Sequence, residues 1–307
     1  MKIEISTSEF LSSFGAKKLS QHCLDLIKKH DFQLSKIEGN ERDQLILSVV
    51  DRIFKDKQIV GASDRTDTWY NGWAENLEAF RLQPNSEEAL LPKFVRSKKP
   101  IRWQQEYWMP ENEQFEKSYI DVLRAYVFTE FMEDCDTIYE FGAGTGHNLV
   151  AASSIFPMKK MFGTDFVQSA VDLIREVGEA KGIDLKSEIF NMLEPNQNLK
   201  LENGSGVLTF GALEQLAGKL DNVFDYFLSQ SAGIYVHIEP AIEFYDETVL
   251  EDYLASMFQG RRGYSAGLIA KLEGLEKQGS IELLECRRLG FGSLMMEGYN
   301  LFVWKRK

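Results

Sequence analysis

Residues 137–149 read TIYEFGAGTGHNL and constrain the fold of this chain more than any other stretch. A short apolar run with Glu140 set into it is followed by helix-forming residues, and between them stand three glycines at alternate positions, Gly142, Gly144 and Gly146. Glycine has no Cβ, so a turn built from it can adopt positive φ angles and approach a ligand closely. The helix N-terminus behind the turn offers unpaired N–H groups and the positive end of the helix dipole. The pattern predicts a buried strand, a tight turn and a helix start that together receive a nucleotide-like ligand.

From residue 137 onward, segments typical of strands alternate with segments typical of helices. Five strands are predicted first, at Ile138–Phe141, Met161–Asp165, Leu185–Phe190, Gly206–Phe210 and Gly233–Ile238. A helix is predicted at Val167–Lys181, and a long helical stretch at Glu247–Leu275 follows the fifth strand. Two late strands, Ser280–Arg288 and Tyr299–Trp304, have the texture of a hairpin. This alternation indicates βαβ units and predicts an α/β, doubly wound and mostly parallel seven-stranded sheet.

The first 110 residues show no strand-like alternation. A capped helix start at Thr7 and the spacing of apolar residues predict one helix that reaches Ile27. A second helix is predicted at Glu41–Phe54 from apolar residues on one face. Another helix is expected to open at Pro110. We therefore expect an N-terminal helical and irregular cap at residues 1–110 and a ligand-binding domain at residues 111–307.

An aromatic-rich stretch runs from Trp69 to Trp108 and is punctuated by prolines, which predicts an irregular conformation. Its aromatic side chains suit three roles: packing between the cap and the core, stacking on a sugar, or forming a lid over a ligand. Aromatic residues bury a large area, and this favours packing.

The composition excludes some classes of partner. The net charge of −12 argues against sequence-independent nucleic-acid binding, which needs a basic face, although the run from Arg96 to Lys99 is locally basic. No apolar run has the length of a membrane span, and the N-terminus lacks a signal-peptide pattern. The scattered cysteines, Cys23, Cys135 and Cys286, fit neither a disulfide framework nor a metal knuckle. We expect a cytoplasmic protein with a small or neutral partner.

In a doubly wound sheet, the ligand lies beyond the carboxyl ends of the strands, so residues that follow the strands share one crevice. Asp165 ends the second predicted strand, where an acid can accept both hydroxyl protons of a ribose; as an alternative, it caps the following helix. Asn191 and Met192 follow the third strand, where an amide and a backbone N–H suit the edge of adenine. A strand-end Asn in a turn is the alternative.

Together, Glu140, the three glycines, Asp165 and Asn191-Met192 resemble the class I S-adenosylmethionine-dependent methyltransferases over residues 137–307. The resemblance implies S-adenosylmethionine as cofactor, with Glu140 facing the methionine amino group and the glycine turn cradling the methionine portion. His147, inside the turn, is a weaker candidate for the cofactor carboxylate. The implied cofactor-binding residues are Glu140, Gly142, Ala143, Gly144, Gly146, Asp165, Phe166, Asn191, Met192 and Gly211.

Methyl transfer to an oxygen needs a base that removes the hydroxyl proton. His237 and Glu239 are two apart near the end of the fifth strand, so their side chains are expected on one face. We predict His237, with Glu239, as the base; a His–carboxylate pair could also bind a metal, although Mg²⁺ is not indicated and no metal ligand is assigned. The alternative is a core histidine with satisfied hydrogen bonds.

Glu214 and Gln215 follow the fourth strand and are predicted to orient the substrate or to close the cofactor pocket, with Glu214 as a third catalytic candidate. The alternative is an ordinary first helical turn, in which an acid complements the dipole. The runs Leu-Glu-Gln and His-Ile-Glu-Pro after strands four and five resemble a bacterial branch of sugar O-methyltransferases. That resemblance implies a small-molecule sugar, nucleotide sugar or glycan as acceptor, contacted by Gln215, Arg262 and Tyr264.

Three other functions are compatible with the sequence. A nicotinamide oxidoreductase shares the fold logic, but the glycine spacing and Asn191-Met192 argue against it. An N-methyltransferase of a small molecule or peptide would keep the cofactor site and change only the acceptor. A catalytically silent cofactor-binding subunit is the third, and the intact cofactor residues argue against it.

Overall fold

The computed structural model describes residues 1–60, 65–84, 86–92, 95, 99–264 and 266–307. Its strands are β1 Lys2–Glu4, β2 Gln33–Lys36, β3 Ile101–Trp103, β4 Glu106–Pro110, β5 Thr137–Phe141, β6 Lys160–Asp165, β7 Leu185–Ile189, β8 Gly206–Phe210, β9 Ile234–Glu239, β10 Ile281–Arg287, β11 Phe291–Ser293 and β12 Asn300–Arg306. Its helices are α1 Thr7–Phe14, α2 Gln21–Lys29, α3 Gly39–Lys55, α4 Thr66–Leu82, α5 Phe115–Phe131, α6 His147–Ile155, α7 Gln168–Lys181, α8 Asp221–Ser229, α9 Leu250–Arg262 and α10 Leu268–Lys277. Residues 96–98 of the basic run lie outside the described residues.

The larger sheet has seven strands in the order β10-β12-β9-β8-β5-β6-β7. Strands β7, β6, β5, β8 and β9 are mutually parallel, whereas β12 pairs antiparallel with both β9 and β10. The predicted fold class, a doubly wound and mostly parallel seven-stranded sheet closed by a late hairpin, is confirmed. The order reverses between β5 and β8, so the carboxyl ends of these strands flank the switch point where a ligand is expected.

The central strands are apolar because helices cover both faces of the sheet. All five residues of β5 are buried, and so are the first four residues of β8. A parallel strand buried on both faces reads as a continuous apolar run and not as an alternation. That pattern is why β5, β6 and β8 were predicted within one residue of their observed bounds.

A second sheet corrects the prediction for the first 110 residues. It has five strands in the order β1-β2-β4-β3-β11, and all of its pairs are antiparallel. Four of these strands come from the stretch predicted to be helical and irregular, and β11 comes from the far end of the chain. The strands are only three to five residues long, too short for a two-residue period to be recognised.

Several predicted helices also have different bounds. The stretch Glu247–Leu275 forms two helices, α9 and α10, because Gly263 and Gly267 adopt positive φ angles of 64° and 89° between them. Gly15, with φ 66°, ends α1 in the same way and separates it from α2. Trp69 and Trp73 of the aromatic stretch lie in α4, and Trp103 and Trp108 lie in β3 and β4, so the irregular conformation predicted at these positions is wrong. Pro110 ends β4 and does not open α5.

One apolar core continues across residue 110. Phe10 and Phe14 of α1 and Phe32 contact the aromatic face of α5, and Tyr119 of α5 stacks on Phe291 of β11 with ring centroids 3.8 Å apart. The same cluster reaches the central strands through Ile138. None of the helices in the described residues has the length and apolarity that a membrane-spanning helix needs.

Candidate active site

The glycine turn lies between β5 and α6, at the switch point of the sheet. Gly142, Gly144 and Gly146 have φ angles of 73°, 55° and 74°, a region that side chains rarely adopt. A Cβ on Gly142 would lie 2.6 Å from the Cβ of Ala212, and one on Gly144 would lie 2.8 Å from the ring of Trp73. The turn therefore needs glycine at these positions for both conformation and space.

A cavity of about 300 Å³ opens beside the turn at the carboxyl ends of β5, β6 and β8. Nine of the ten residues predicted to bind the cofactor line it, namely Glu140, Gly142, Ala143, Gly144, Asp165, Phe166, Asn191, Met192 and Gly211. Gly146 is the exception; it caps α6 and packs against Ile174. The fold thus brings the separate sequence motifs into one cavity.

Asp165 lies at the end of β6 with only 4% of its surface exposed. Its Oδ2 accepts a hydrogen bond from the Gly144 N–H at 3.0 Å, and its Oδ1 accepts one from the Val167 N–H at 3.2 Å. Burial raises the pKa of this carboxyl to about 6. The side chain therefore both ties the glycine turn to β6 and begins the loop before α7, and it still lines the cavity.

Asn191 and Met192 line the same cavity beyond β7. The Asn191 Oδ1 accepts the Leu193 N–H at 3.0 Å, so this residue forms the strand-end turn that was the alternative to adenine binding. A carbonyl oxygen has two lone pairs, and the turn uses one of them. Met192 is buried in a cluster with Phe141 and Phe190, which makes an apolar floor.

Glu140 is almost fully buried, with 1% of its surface exposed, and it lines the cavity. Its Oε1 accepts the Asn148 Nδ2–H at 2.6 Å, whereas its Oε2 has no hydrogen-bond partner among the described residues. Burial raises the pKa of this carboxyl to about 8. A buried carboxylate oxygen without a partner is costly, so this atom is suited to a donor brought by a ligand.

The N-terminal part of the chain covers this cavity through α4, the lid-like placement that was one alternative for the aromatic stretch, whereas packing was favoured. Trp69 and Trp73 both line it, and their rings stack with centroids 5.7 Å apart. The helix is held on α7 by the Ser169 hydroxyl, which donates to the Tyr70 carbonyl at 2.7 Å. Lys117 of α5 is a further cavity residue that sequence reasoning missed. The four-residue spacing of Trp69 and Trp73 was a sequence feature that could have indicated this helix.

A second cavity, of about 470 Å³, adjoins the first. The two share part of their lining, including Arg65, Trp69, Gly211 and Gln215. Arg262 and Tyr264, both predicted to contact the substrate, line only the second cavity, within the described residues. Arg262 donates to Asp56 at 2.8 Å and to the Tyr264 hydroxyl at 2.8 Å, so it holds the wall together as well as facing the cavity.

Glu214 also lines the second cavity, next to Gln215 at its junction with the first. Its Oε1 accepts the Gln215 Nε2–H at 2.8 Å, and the Gln215 Oε1 in turn accepts from Arg65 at 2.9 Å. Burial and the neighbouring carboxyl of Glu239 raise the pKa of Glu214 to about 8. A carboxyl with this pKa is able to accept a proton near neutral pH.

His237 does not reach either cavity, and the structure contradicts its prediction as the base. It is fully buried, and its Nε2 accepts the Trp304 Nε1–H at 2.9 Å while its Nδ1 bonds the Thr209 hydroxyl at 2.9 Å. Burial lowers its pKa to about 3. With both nitrogens occupied in the core, this is the satisfied core histidine that was the alternative.

The prediction that Glu239 assists the base is also contradicted by the structure. Its side chain turns toward the loop after β8, where its two oxygens accept the backbone N–H groups of Ala212, Leu213 and Glu214 at 3.0, 3.1 and 3.3 Å. It is buried and lines neither cavity. Glu239 therefore holds the loop that carries Glu214, and its lone pairs are engaged. Across the described ranges, no cluster of three His, Cys, Asp or Glu side chains is placed to bind a metal ion.

No protein-family model and no curated protein matches the chain. It is similar to a solved geranyl diphosphate C-methyltransferase from Streptomyces coelicolor A3(2), with 14% identity and a TM-score of 0.49 over 80% of this chain and 99% of that one. Human N-acetylserotonin methyltransferase gives 13% identity and a TM-score of 0.48, covering 86% and 67%. The 16S rRNA methyltransferase RmtF gives 12% identity and a TM-score of 0.45, covering 94% and 89%.

All three of those structures hold S-adenosylmethionine or S-adenosylhomocysteine. The fold assignment rests on the strand order and directions given above.

Proposed function

We propose that the protein is a methyltransferase that uses S-adenosylmethionine. The observation that carries the proposal is the Oε2 of Glu140, a buried acceptor without a partner among the described residues, at the cavity beside the glycine turn. An ammonium group satisfies such an oxygen, and S-adenosylmethionine has one at its amino-acid end. A nicotinamide dinucleotide has no ammonium group and could offer this oxygen only neutral donors.

The remaining cavity residues fit the rest of this cofactor. Asp165 supplies a carboxylate for the ribose hydroxyls, and Asn191 and Met192 supply an amide and an apolar face for the adenine. The glycine turn lines the cavity with backbone, which suits the methionine portion, and a Cβ on Gly142 or Gly144 would instead clash with Ala212 or Trp73. When bound, the cofactor supplies an activated methyl group.

The acceptor is proposed to bind in the second cavity, with its reacting oxygen near the junction at Gln215. Glu214 is the base in this proposal because it lines that cavity and has a pKa of about 8. It removes the hydroxyl proton, and Gln215 orients its carboxyl through the 2.8 Å hydrogen bond. Positioning and deprotonation are the contributions that the protein makes to an in-line displacement.

A sugar hydroxyl is the acceptor that we propose. Trp69 and Tyr264 are aromatic residues in the lining of the second cavity, and Arg65, Gln215 and Glu214 are polar residues in the same lining. That mixture suits a sugar or a nucleotide sugar. The net charge of −12 disfavours a nucleic-acid acceptor. In this proposal, residues 1–110 act as the cap over the substrate side.

Isothermal titration tests the cofactor assignment. S-adenosylhomocysteine is expected to bind and NAD is expected not to bind, and the Asp165→Ala variant should lose affinity for S-adenosylhomocysteine. Absence of binding by the wild type would contradict the proposal. Full affinity in the variant would contradict the assignment of Asp165 to the ribose and leave the cofactor assignment in place.

Transfer of a labelled methyl group tests the acceptor. The label should pass from S-adenosylmethionine into members of a panel of nucleotide sugars and cell-envelope glycans. Running the panel with and without EDTA tells whether a metal takes part. Transfer into amines and peptides but into no glycan would identify an N-methyltransferase instead.

A further inference from the structure

A buried polar network lies under the glycine turn and joins α5 to both sides of the first cavity. Its centre is Arg124, which has 4% of its surface exposed. The Arg124 Nη1 lies 2.8 Å from the Nδ1 of His147 and 3.2 Å from the Oδ1 of Asn148, and its Nη2 donates to Asp121. One guanidinium thus touches the first two residues of α6 at once.

Arg124 determines which nitrogen of His147 carries the proton. A guanidinium only donates hydrogen bonds and stays charged in proteins, so the Nδ1 that faces it must be the acceptor. The proton of the neutral ring is therefore on Nε2. Burial and the charge of Arg124 lower the pKa of His147 far below its ordinary value, so the ring stays neutral.

The same guanidinium sets the orientation of Asn148. Because the Oδ1 of Asn148 accepts from Arg124, its Nδ2 is directed to the Oε1 of Glu140, 2.6 Å away. The amide cannot be flipped without losing both contacts. Glu140 is thereby held with its Oε2 as the oxygen that has no partner in the part of the chain that the structure describes.

Both ends of the network line the cavity, at the side where α5 and α6 meet. His147 presents an N–H donor through Nε2, and Glu140, once ionised, presents an acceptor through Oε2. An α-amino acid carries the complementary pair, a carboxylate that accepts and an ammonium that donates. Lys117 also lines this side, but its Nζ lies 2.8 Å from Asp121 and 4.0 Å from Glu87, which partly neutralise it.

We propose that Arg124 is a positioning residue that fixes His147 as the donor to the cofactor carboxylate and, through Asn148, fixes Glu140 as the acceptor of the cofactor ammonium. The inference rests on the proposed function, because it needs a ligand with an amino-acid end. It adds the carboxylate contact of His147 and the positioning role of Arg124 to the assignment of the cofactor.

Comparing two ligands distinguishes the carboxylate contact from the ammonium contact. S-adenosylmethionine has both groups at its amino-acid end, whereas decarboxylated S-adenosylmethionine has only the amine there. By isothermal titration, His147→Ala should weaken S-adenosylmethionine about tenfold to a hundredfold, the range for a hydrogen bond to a charged group, and leave the decarboxylated ligand unchanged. Glu140→Gln should weaken both ligands. His22→Ala, at an exposed histidine of α2, is the matched control and should change neither.

The outcomes distinguish the inference from the proposed function. If the wild type binds neither ligand, the cofactor assignment fails. If the wild type binds S-adenosylmethionine and His147→Ala binds it equally well, or weakens both ligands equally, only the inference is overturned. A loss confined to Lys117→Met would also overturn it, since Lys117 would then hold the carboxylate.

The role of Arg124 has its own spectroscopic readout. The chain has four histidines, so ¹⁵N spectra of the imidazoles can be assigned by substitution. His147 of the wild type should be the Nε2–H tautomer at pH 6, and a proton on Nδ1 would overturn the proposal without any variant. Arg124→Met should give a mixture of tautomers, and Arg124→Lys should partly restore the Nε2–H form because it keeps one donor.

Discussion

At the scale of single residues, the unpaired oxygen of Glu140 makes cofactor binding depend on pH. Its pKa of about 8 means that the free protein holds this carboxyl protonated at pH 7, whereas a bound ammonium needs it ionised. Binding therefore releases a proton, and affinity increases with pH. Between pH 6.5 and 7.5, the affinity for S-adenosylhomocysteine should increase by up to about tenfold for each pH unit by which the pH is raised. Asp165, with a pKa of about 6, is mostly ionised in that window.

Glu140→Gln is expected to bind S-adenosylhomocysteine more weakly and with an affinity that is flat over the same window. Titration in two buffers of different ionisation enthalpy measures the released proton directly. The same slope in the variant and in the wild type would assign the proton to another group.

Glu214 gives a second prediction at this scale. If it is the base, kcat/KM must increase with pH through about 8, because only the ionised carboxyl accepts a proton. Glu214→Gln should lower kcat by roughly 10² to 10⁴ and flatten the profile, the range for loss of a general base. Its affinity for S-adenosylhomocysteine should stay unchanged because Glu214 lies in the acceptor cavity. Full turnover by the variant would leave the base unassigned.

His237 is expected to matter for stability and not for chemistry. Replacing it by Leu leaves the buried Trp304 N–H without its partner, whereas the Thr209 hydroxyl loses one contact and keeps its hydrogen bond to Glu239. Each buried group left unpaired costs about 1–3 kcal/mol. Urea denaturation should show that loss in the free energy of unfolding, while the folded fraction keeps its turnover. Lost turnover at unchanged stability would restore the original prediction.

The contrast between these residues shows what sequence could establish about the site. Glu140 lies near the end of β5, Asp165 ends β6 and Asn191 follows β7. Their placement therefore depends on local pattern and on the general geometry of parallel sheets. His237 also lies near a strand end, but its direction depends on Trp304, which is 67 positions away on β12. In the sequence, a polar residue beside a crevice cannot be distinguished from one inside the core unless its partner on a distant strand is known.

At the scale of elements, the glycine turn and α4 depend on each other. Gly144→Ala introduces a Cβ that would lie 2.8 Å from the Trp73 ring, so the variant must move α4 or the turn. Gly182→Ala is the matched control, since it has the same backbone region at φ 63° and open space around it. Both variants should lose about 1–2 kcal/mol of stability from the left-handed backbone.

Only Gly144→Ala is expected to lose affinity for S-adenosylhomocysteine as well, as measured by isothermal titration beside a thermal unfolding curve. If both variants lose affinity equally, backbone strain and not the contact with Trp73 is responsible. The contact could not be predicted from sequence, because α4 has Trp, Asn and Gly at positions that disfavour a helix. Its packing against α7 and the turn overrides that propensity.

At the scale of the whole molecule, the short strands of the N-terminal sheet depend on the rest of the chain. Strand β11, near the C-terminus, pairs with β3, and Tyr119 of α5 lies between Phe10 of α1 and Phe291 of β11. The parallel sheet was predictable because each strand and helix carries its own pattern. The N-terminal sheet was not, because its strands have three to five residues and take their stability from partners far along the chain.

This shared core predicts that residues 1–110 and residues 111–307 unfold in one cooperative transition. Hydrogen exchange followed over a urea series should release the protected amides of β3 and of β8 at the same urea concentration, because loss of either sheet exposes the apolar cluster that joins them. Phe291→Ala should lower the free energy of unfolding by about 3–5 kcal/mol. The amides of both strands should then exchange at the same, lower urea concentration. Release of β3 well before β8, in the wild type, would instead mean that the cap opens as a separate unit and that access to the cofactor cavity is governed by that opening.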